Sequence, residues 1–518
     1  MILLLESKED MVLLKALSSL DKFAGKLEQN AKVLHEEGVL KSLTPLLEHS
    51  NLYIQRFSTK LLSELCFNQA IVNQLLEEFD GLLLNMLNLL HKVNDSFVKE
   101  FSASVVAELT KTRHGYDQLI ETNMINILIP LLSSPDPDVQ YNCLKIIQNI
   151  IVEPNDKTVL TEDSSFSVKP FVNLLSSEYV AIQNTTLDIL HRLTEQTKLN
   201  PIPKQFQDAG GVVKLLAIVK NYEWKDIHGK ALDVLANIYN DTSIAQTFLK
   251  DGVMQLIAYV DLAKDPQLKK GAVEVLSKIA ETPLGRKVLL DSGYIPRLVE
   301  MLSDHDDVVC SAACVTVANL CQDLASLRQL ADLLTVQQVL NILTVPDRSW
   351  PARGAAIHTL YEILKRDSDA CTYIADHFEM GFIEKLLNEF DENVSLQAAV
   401  TAANCVTTLA GYADLREKII NENLISSLLH CFKDYPQDTS VLKLAVCETL
   451  CSLLSELRTQ DLLHNLDSLS VVWYSITKHH NNIQLLQSAA TFVHLCVSGD
   501  KRFTPTLLRL GVLNWYES

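Results

Sequence analysis

Cys310 and Cys314 stand four residues apart, and so do Cys447 and Cys451. On a helix this spacing puts both sulfurs on one face, and two further ligands at tetrahedral distance would complete a zinc site. Neither pair brings such ligands. Each lies among Ala, Val and Leu, where a thiol acts as a small apolar group. The eleven cysteines contain no Cys-x-x-Cys and no secreted disulfide framework. His479-His480 falls in a polar run with Asn481 and Asn482; adjacent side chains diverge on helix or strand, so a solvated turn is expected there. Asn184-Thr-Thr matches a glycosylation acceptor that an unsecreted chain does not use. The phosphate loop Gly-x-x-x-x-Gly-Lys, the dinucleotide fingerprint Gly-x-Gly-x-x-Gly and the zinc helix His-Glu-x-x-His do not occur. The expectation is a non-enzyme without metal or cofactor.

Charge narrows the partners. Lys and Arg number 45 against 64 Asp and Glu, a formal charge of −19. Nucleic-acid binders neutralise phosphates with Lys and Arg, and anionic membranes attract the same residues, so proteins are the expected partners, with neither nucleic acid nor membrane insertion. Met1-Ile-Leu-Leu-Leu5 is too short for a signal-peptide core and turns acidic at Glu6. No apolar stretch approaches the ~20 residues of a membrane span. A cytoplasmic chain with reduced cysteines is the expectation.

The elements that must carry these residues repeat. Gly38-Val-Leu-Lys-Ser-Leu-Thr-Pro-Leu-Leu47 returns from Gly81 to Leu90, from Asn123 to Leu132 and from Gly293 to Leu302. Weaker copies begin near Phe166, Gly211, Gly252, Thr335, Gly381, Asn423, Asp467 and Gly511. Anchors are 41 to 46 residues apart, the period of helical solenoids. Glycine and proline are scarce, 16 and 15 of 518, and aromatics only 7%, which suits aliphatic helix packing. In each unit a short helix ends at the anchor, where Gly or Asn takes a left-handed turn. A second helix follows. Then comes a polar turn, such as Ser133-Ser-Pro-Asp-Pro-Asp138 or Ser303-Asp-His-Asp-Asp307, whose Asp and Ser cap a third helix. That helix has the clearest stripe: Val309, Ala312, Ala313, Thr316, Val317 and Leu320, matched by Ile227, Ala231, Val234, Leu235, Ile238 and by Ala398, Ala402, Cys405, Val406, Leu409. No unit buries its faces alone, so stacking makes the core.

The turn-plus-helix text of residues 303–320 resembles an armadillo repeat. More narrowly, Leu131-Leu-Ser-Ser-Pro-Asp-Pro-Asp-Val-Gln140, Leu174-Leu-Ser-Ser-Glu-Tyr-Val-Ala-Ile-Gln183, Lys22-Phe-Ala24 and Arg509-Leu-Gly-Val-Leu513 resemble the armadillo repeat-containing protein 3 family. The resemblance implies an all-α, right-handed superhelical solenoid of about twelve repeats. Residues 1–518 form a single array, with a partial repeat over 1–37, eleven repeats over 38–510 and a truncated one over 511–518. It also implies a protein-interaction scaffold of cilium, flagellum and sperm; the alternative is a cytoplasmic adaptor in vesicle trafficking, signalling or junctional assembly. The chain opens inside a unit and stops at Tyr516-Glu-Ser518, where the family continues, so a shortened product or lineage-specific form is expected.

Such solenoids line a concave groove with their third helices. The residue before the last core position reads Glu64, Glu108, Asn149, Arg192, Asn237, Lys278, Asn319, Glu362, Thr408, Ser452 and His494. One turn earlier stand Lys60, Ser104, Lys145, Asp188, Asp233, Glu274, Val315, His358, Asn404, Glu448 and Ala490. None is Trp, so the Asn-and-Trp device by which importin-α-like adaptors hold basic peptides is incomplete. Seven of the positions are acidic and four basic, which disfavours the β-catenin-like use of Lys and Arg rows against acidic ligands. Asn149, Asn237 and Asn319 are candidates for gripping the backbone of an extended partner, or else for bonding neighbouring helix ends; Arg192 and Lys278 share their row. In Val345-Pro-Asp-Arg-Ser-Trp-Pro351 the prolines require a loop, and Trp350 on it is a candidate partner anchor, or else folds back on its own scaffold. Lys198-Leu-Asn-Pro-Ile-Pro203 interrupts a first helix and is expected to bend the array locally.

Overall fold

Most of the repeat anchors turn at a residue in left-handed conformation. Gly38, Gly81, Gly210 and Gly293 have φ between 70° and 78° and stand at the starts of the second helices Val39–Leu43, Leu82–Lys92, Gly211–Lys220 and Ile295–Met301. Without a Cβ the turn carries no steric penalty. The anchor expected at Gly211 is therefore Gly210, with Gly211 already helical. Gly381 likewise lies inside the helix Gly381–Asn388, after Met380 at φ −72°.

Whereas Glu422–His430 opens from Asn421 at φ −141°, two other anchors without glycine keep the turn. Leu334 (φ 55°) and Asp467 (φ 46°) occupy it before Thr335–Thr344 and Ser468–Ile476. A leucine there costs about 1–2 kcal/mol, and the Leu334 side chain is exposed, so it recovers little of this by packing. Leu334→Gly is accordingly expected to raise stability by about 1 kcal/mol in urea denaturation. An unchanged or lower midpoint would show that the turn is not strained.

The computed structural model describes all residues except 123, 153–159, 196–200, 240–251, 378–379, 391–393, 436–437, 478–481 and 512–518. The anchor at Asn123, residues 198–200 of the interrupted first helix, His479-His480-Asn481 and all but the first residue of the C-terminal partial repeat lie outside the described residues. Contacts group the chain into two compact units, Met1–Ile244 and Ala245–Ser518. Within the first, the longest elements are the third helices Asp10–Ala24, Leu52–Leu65, Ser96–Leu109, Pro137–Ile150, Val180–Thr194 and the shorter His228–Ile238. The last is shortened because a 3-10 turn, Tyr222–Ile227, precedes it, kinked at Trp224. Within the second unit they are Pro266–Ala280, Asp307–Leu320, Trp350–Leu364, Leu396–Ala410, Ser440–Leu453 and Ile483–Gly499. In each unit, successive third helices pack on one another and on the second helix before them.

The expected stripes are buried. Val309, Ala312, Ala313, Thr316, Val317 and Leu320 all lie inside, as do the matching residues from Ile227 to Ile238 and from Ala398 to Leu409. Each fully buried Val or Leu contributes roughly 1.5–3 kcal/mol of transfer free energy, while alanines let helices approach. Ten of the eleven cysteines are buried in the same core, Cys451 being half-buried. Burial pushes the Cys143 and Cys431 thiols up to about 12, so they are protonated packing groups. The polar turns cap as the residues require: Asp136 Oδ1 accepts from Asp138 N at 3.0 Å, and Asp306 Oδ1 from Val308 N at 2.9 Å. Asn51, Asp95, Asp265, Ser349, Ser395 and Asn482 cap other third helices in the same manner.

One local expectation fails. Trp350 is not on a loop but is the first residue of the helix Trp350–Leu364, with Pro351 in its first turn. Proline is tolerated there because the first-turn N–H has no intrahelical partner.

Candidate protein-binding surfaces

The three asparagines form one device, repeated. In the first unit Asn149 Nδ2 donates to Ala107 O at 2.8 Å and to Thr110 Oγ1 at 3.1 Å. Asn237 Nδ2 donates to His191 O at 3.2 Å and to Thr194 Oγ1 at 3.4 Å. In the second unit Asn319 Nδ2 donates to Ser277 O and Ser277 Oγ, both at 3.1 Å. Each amide thus joins its helix to the C-terminal turn of the third helix one repeat earlier. The Nδ2 protons are engaged in the fold. Oδ1, an acceptor, is the atom left to meet a partner's N–H.

Arg192 is placed similarly, its Nη1 donating to Ile151 O and Val152 O at 3.1 Å. Lys278 pairs instead with Glu281 on its own helix end, at 2.9 Å. Trp350 folds back: the Arg353 guanidinium lies 4.6 Å from its ring centroid and the Lys385 ammonium 5.8 Å. Its ring is half-buried, so what it offers a partner is one edge. Of the candidates, the asparagines and Arg192 share a row and a role within their units, and Trp350 stands apart from them.

Charged residues of the two rows are also engaged with neighbours. Lys60 Nζ meets Asp21 Oδ2 at 2.8 Å, Lys230 Nζ meets Asp188 Oδ1 at 2.6 Å, and Lys111 Nζ meets Glu108 Oε1 at 2.6 Å. Glu100, one turn before Ser104, is different. Burial, with Asp138 and Asp136 nearby and only Lys60 opposing, pushes its carboxyl up to about 7. An acid raised in the fold holds its proton longer than in the unfolded chain. It therefore leaves stability intact below its ordinary value near 4.5 and removes some as pH rises through 7. Glu100→Gln is expected to stabilise by about 1 kcal/mol at pH 8, after discounting for its partial exposure, and by almost nothing at pH 4. Equal gains at both pH values would refute the assignment.

Several structural residues carried no recognised signal. Arg286 Nη1 donates to Ala280 O and Glu281 O, both at 2.9 Å, and to Gln322 Oε1 at 3.3 Å. Arg416 Nε donates to Ala410 O, and its Nη1 to Ser455 Oγ at 2.7 Å. Both arginines follow the end of their third helix by six residues, an offset visible in the sequence once the helix ends are known. Arg353 Nη2 donates to Val345 O and Pro346 O, closing the turn before Trp350. Thr112-x-x-Gly115 and Thr282-x-x-Gly285 form another local signature, the threonine Oγ1 accepting from the glycine N at 3.0 Å. Among the described residues no cluster of three or more His, Cys, Asp or Glu could hold a metal, and no helix is long and apolar enough to cross a membrane.

The comparisons agree with this geometry. Residues 1–456 match the family model described as the adaptin N terminal region. Human armadillo repeat-containing protein 3 is 26% identical over 429 residues, covering 83% of this chain and 48% of its own length. Human junction plakoglobin is 20% identical over 403 residues, covering 76% of the chain and 53% of its own. The chain therefore spans about half the length of these relatives. Among solved structures, an engineered protein superposes with TM-score 0.64 at 21% identity, over 79% of this chain and 97% of its own. A structure from a study of a phosphorylation switch in the interaction between cadherin and β-catenin gives 0.64 at 13% identity, over 96% and 98%. These likenesses show the armadillo-type solenoid fold.

Proposed function

Since the chain belongs to the adaptin N-terminal-region family and folds as an armadillo-type solenoid, we propose that it is a non-enzymatic scaffold that assembles proteins in the cilium or flagellum. The single observation behind the scaffold reading is the repeated third-helix row, which within each unit sets mostly half-exposed side chains at one position of successive helices rather than a cluster of reactive groups. The ciliary assignment rests on what the sequence resemblance to the armadillo repeat-containing protein 3 family implies, and that relative matches over 83% of this chain. The similarity to junction plakoglobin is compatible with the second reading, an adaptor in junctional assembly. In both readings Asn149, Asn237 and Arg192 in the first unit, and Asn319 and Lys278 in the second, are proposed to contact the partner, the asparagines through Oδ1. The edge of Trp350 is proposed as an additional anchor.

Proximity labelling in ciliated or spermatogenic cells tests this. Axonemal and flagellar neighbours are expected, and junctional or vesicle-coat neighbours in their place would select the second reading. Asn149→Ala, Asn237→Ala and Asn319→Ala each lose a helix-to-helix hydrogen bond worth about 1 kcal/mol. Partner capture should fall at temperatures where all three variants remain folded; undiminished capture would remove the asparagine row from the site.

A further inference from the structure

The N-terminal turns of three consecutive third helices in the Met1–Ile244 unit carry aromatic rings at the surface. Tyr53 and Phe97 occupy the same register on Leu52–Leu65 and Ser96–Leu109, and they are 59% and 43% exposed. On the next third helix, Pro137–Ile150, Asp138 stands at that register, and the half-buried Tyr141 follows three residues later, at the register of Glu100. The rings are held before any partner arrives. Arg56 is bonded to Asp95 through Nε–Oδ1 at 3.2 Å and Nη2–Oδ2 at 2.6 Å. The same guanidinium lies 5.3 Å from the Tyr53 centroid and 5.9 Å from that of Phe97. Phe101 meets Phe97 edge to face at 5.1 Å, and Lys145 lies 4.5 Å over Tyr141. Large apolar groups fixed at the surface lose little freedom on binding.

Two properties of the strip define its occupant. Packed helices lie roughly 8–10 Å apart, and a polyproline II helix repeats every three residues, about 9 Å. One face of such a segment therefore meets successive rings, the mode by which aromatic grooves receive prolines. Beside the rings stand carboxylates with too little compensation: Glu100, on the Phe97 helix, faces Asp136 and Asp138 of the next helix against Lys60 alone. Asn142 Nδ2 donates to Glu100 O at 3.2 Å, which fixes the two helices' register there. A cation in the segment would complete this edge.

We propose that the Tyr53–Phe97–Tyr141 strip, with Glu100, Asp136 and Asp138 at its edge, docks an extended proline-containing segment of another protein that bears an arginine or lysine. The proposal rests on the scaffold reading and goes beyond it, since the strip is separate from the asparagine row. The probe is a fluorescein-labelled peptide with prolines at every third position and one flanking arginine, titrated into the full chain by anisotropy. Saturable binding is expected, weakened tenfold or more by Tyr53→Ser, by Phe97→Ala and by Arg→Glu in the peptide. Glu100→Gln should weaken it too and abolish the proton release that accompanies binding at pH 7, read as a dependence of binding heat on buffer ionisation. Circular dichroism melts establish that both ring variants are folded. No saturable binding of the peptide, or binding indifferent to both ring variants, overturns the proposal. So does a concentration-dependent dimer of the chain that Tyr53→Ser and Phe97→Ala dissolve, which would assign the strip to a second copy. None of these failures touches the scaffold reading, which stands or falls on cellular neighbours and the asparagine variants.

Discussion

Phe206→Ala is expected to destabilise the Met1–Ile244 unit by about 3–5 kcal/mol, the usual cost of deleting a fully buried aromatic ring. Phe206 lies on the first helix Ile202–Asp208 with no exposed surface. Its ring packs on Gly211 so closely that a Cβ there would approach it to 2.2 Å. The left-handed turn at Gly210 folds the second helix back onto the first, and the missing side chain at Gly211 makes room for the ring. Gly211→Ala alone should therefore also destabilise, by about 1–3 kcal/mol through overpacking. The two losses should not add: in the Phe206→Ala background the extra methyl enters vacated space, so the double variant is more stable than the sum predicts. Urea denaturation of the full chain, with hydrogen exchange across residues 202–220, measures all four proteins. Strict additivity would mean that ring and glycine do not touch.

Arg286→Met carries the second large effect, a loss of about 3 kcal/mol. Arg286 is buried, and its Nη1 serves the carbonyls of Ala280 and Glu281 at the end of Pro266–Ala280. Hydrogen bonds from a charged donor contribute about 1.5–3 kcal/mol each, and methionine leaves both acceptors without it while preserving most of the apolar volume. Burial lowers the guanidinium's pKa from its ordinary value, so part of the gain offsets desolvation. Arg286→Lys should fall between, because a single ammonium lacks the planar fork. A methionine variant within 0.5 kcal/mol of the parent, about the scatter of ordinary surface substitutions, would show that water replaces the arginine without cost.

How much of this was legible beforehand depends on the range of the interaction. The stripe at Val309–Leu320 could be read because spacing of three and four residues decides which face of a helix is apolar. The caps at Asp136 and Asp306 could be read because an Asx side chain reaches only two or three residues along. The period marks a boundary near Thr335, and the left-handed residue itself is Leu334, since nothing in leucine announces such a turn. Trp350 was misplaced because Pro351 was taken to forbid helix, whereas proline in the first turn begins one. The candidate site was legible as a row of positions with alternative roles, and of these the Nδ2 groups take the bonding of neighbouring helix ends. Asn149, Asn237 and Asn319 stood at the predicted positions, but their acceptors lie about forty residues away.

Composition and period alone therefore establish an acidic, all-helical repeat protein with aliphatic faces that only stacking can bury. These follow from local rules: one apolar stripe per helix, one repeat per 41 to 46 residues, and polar turns whose Asp, Asn or Ser cap most of the third helices. The tertiary structure decided what each polar side chain does. It committed the asparagine Nδ2 protons to the preceding helix end, set Trp350 against Arg353 and Lys385, and placed the Arg56 guanidinium against both Tyr53 and Phe97. The reason is geometric. A side chain at the junction of two repeats meets partners set by how the helices stack, and stacking brings together residues that no window of sequence contains.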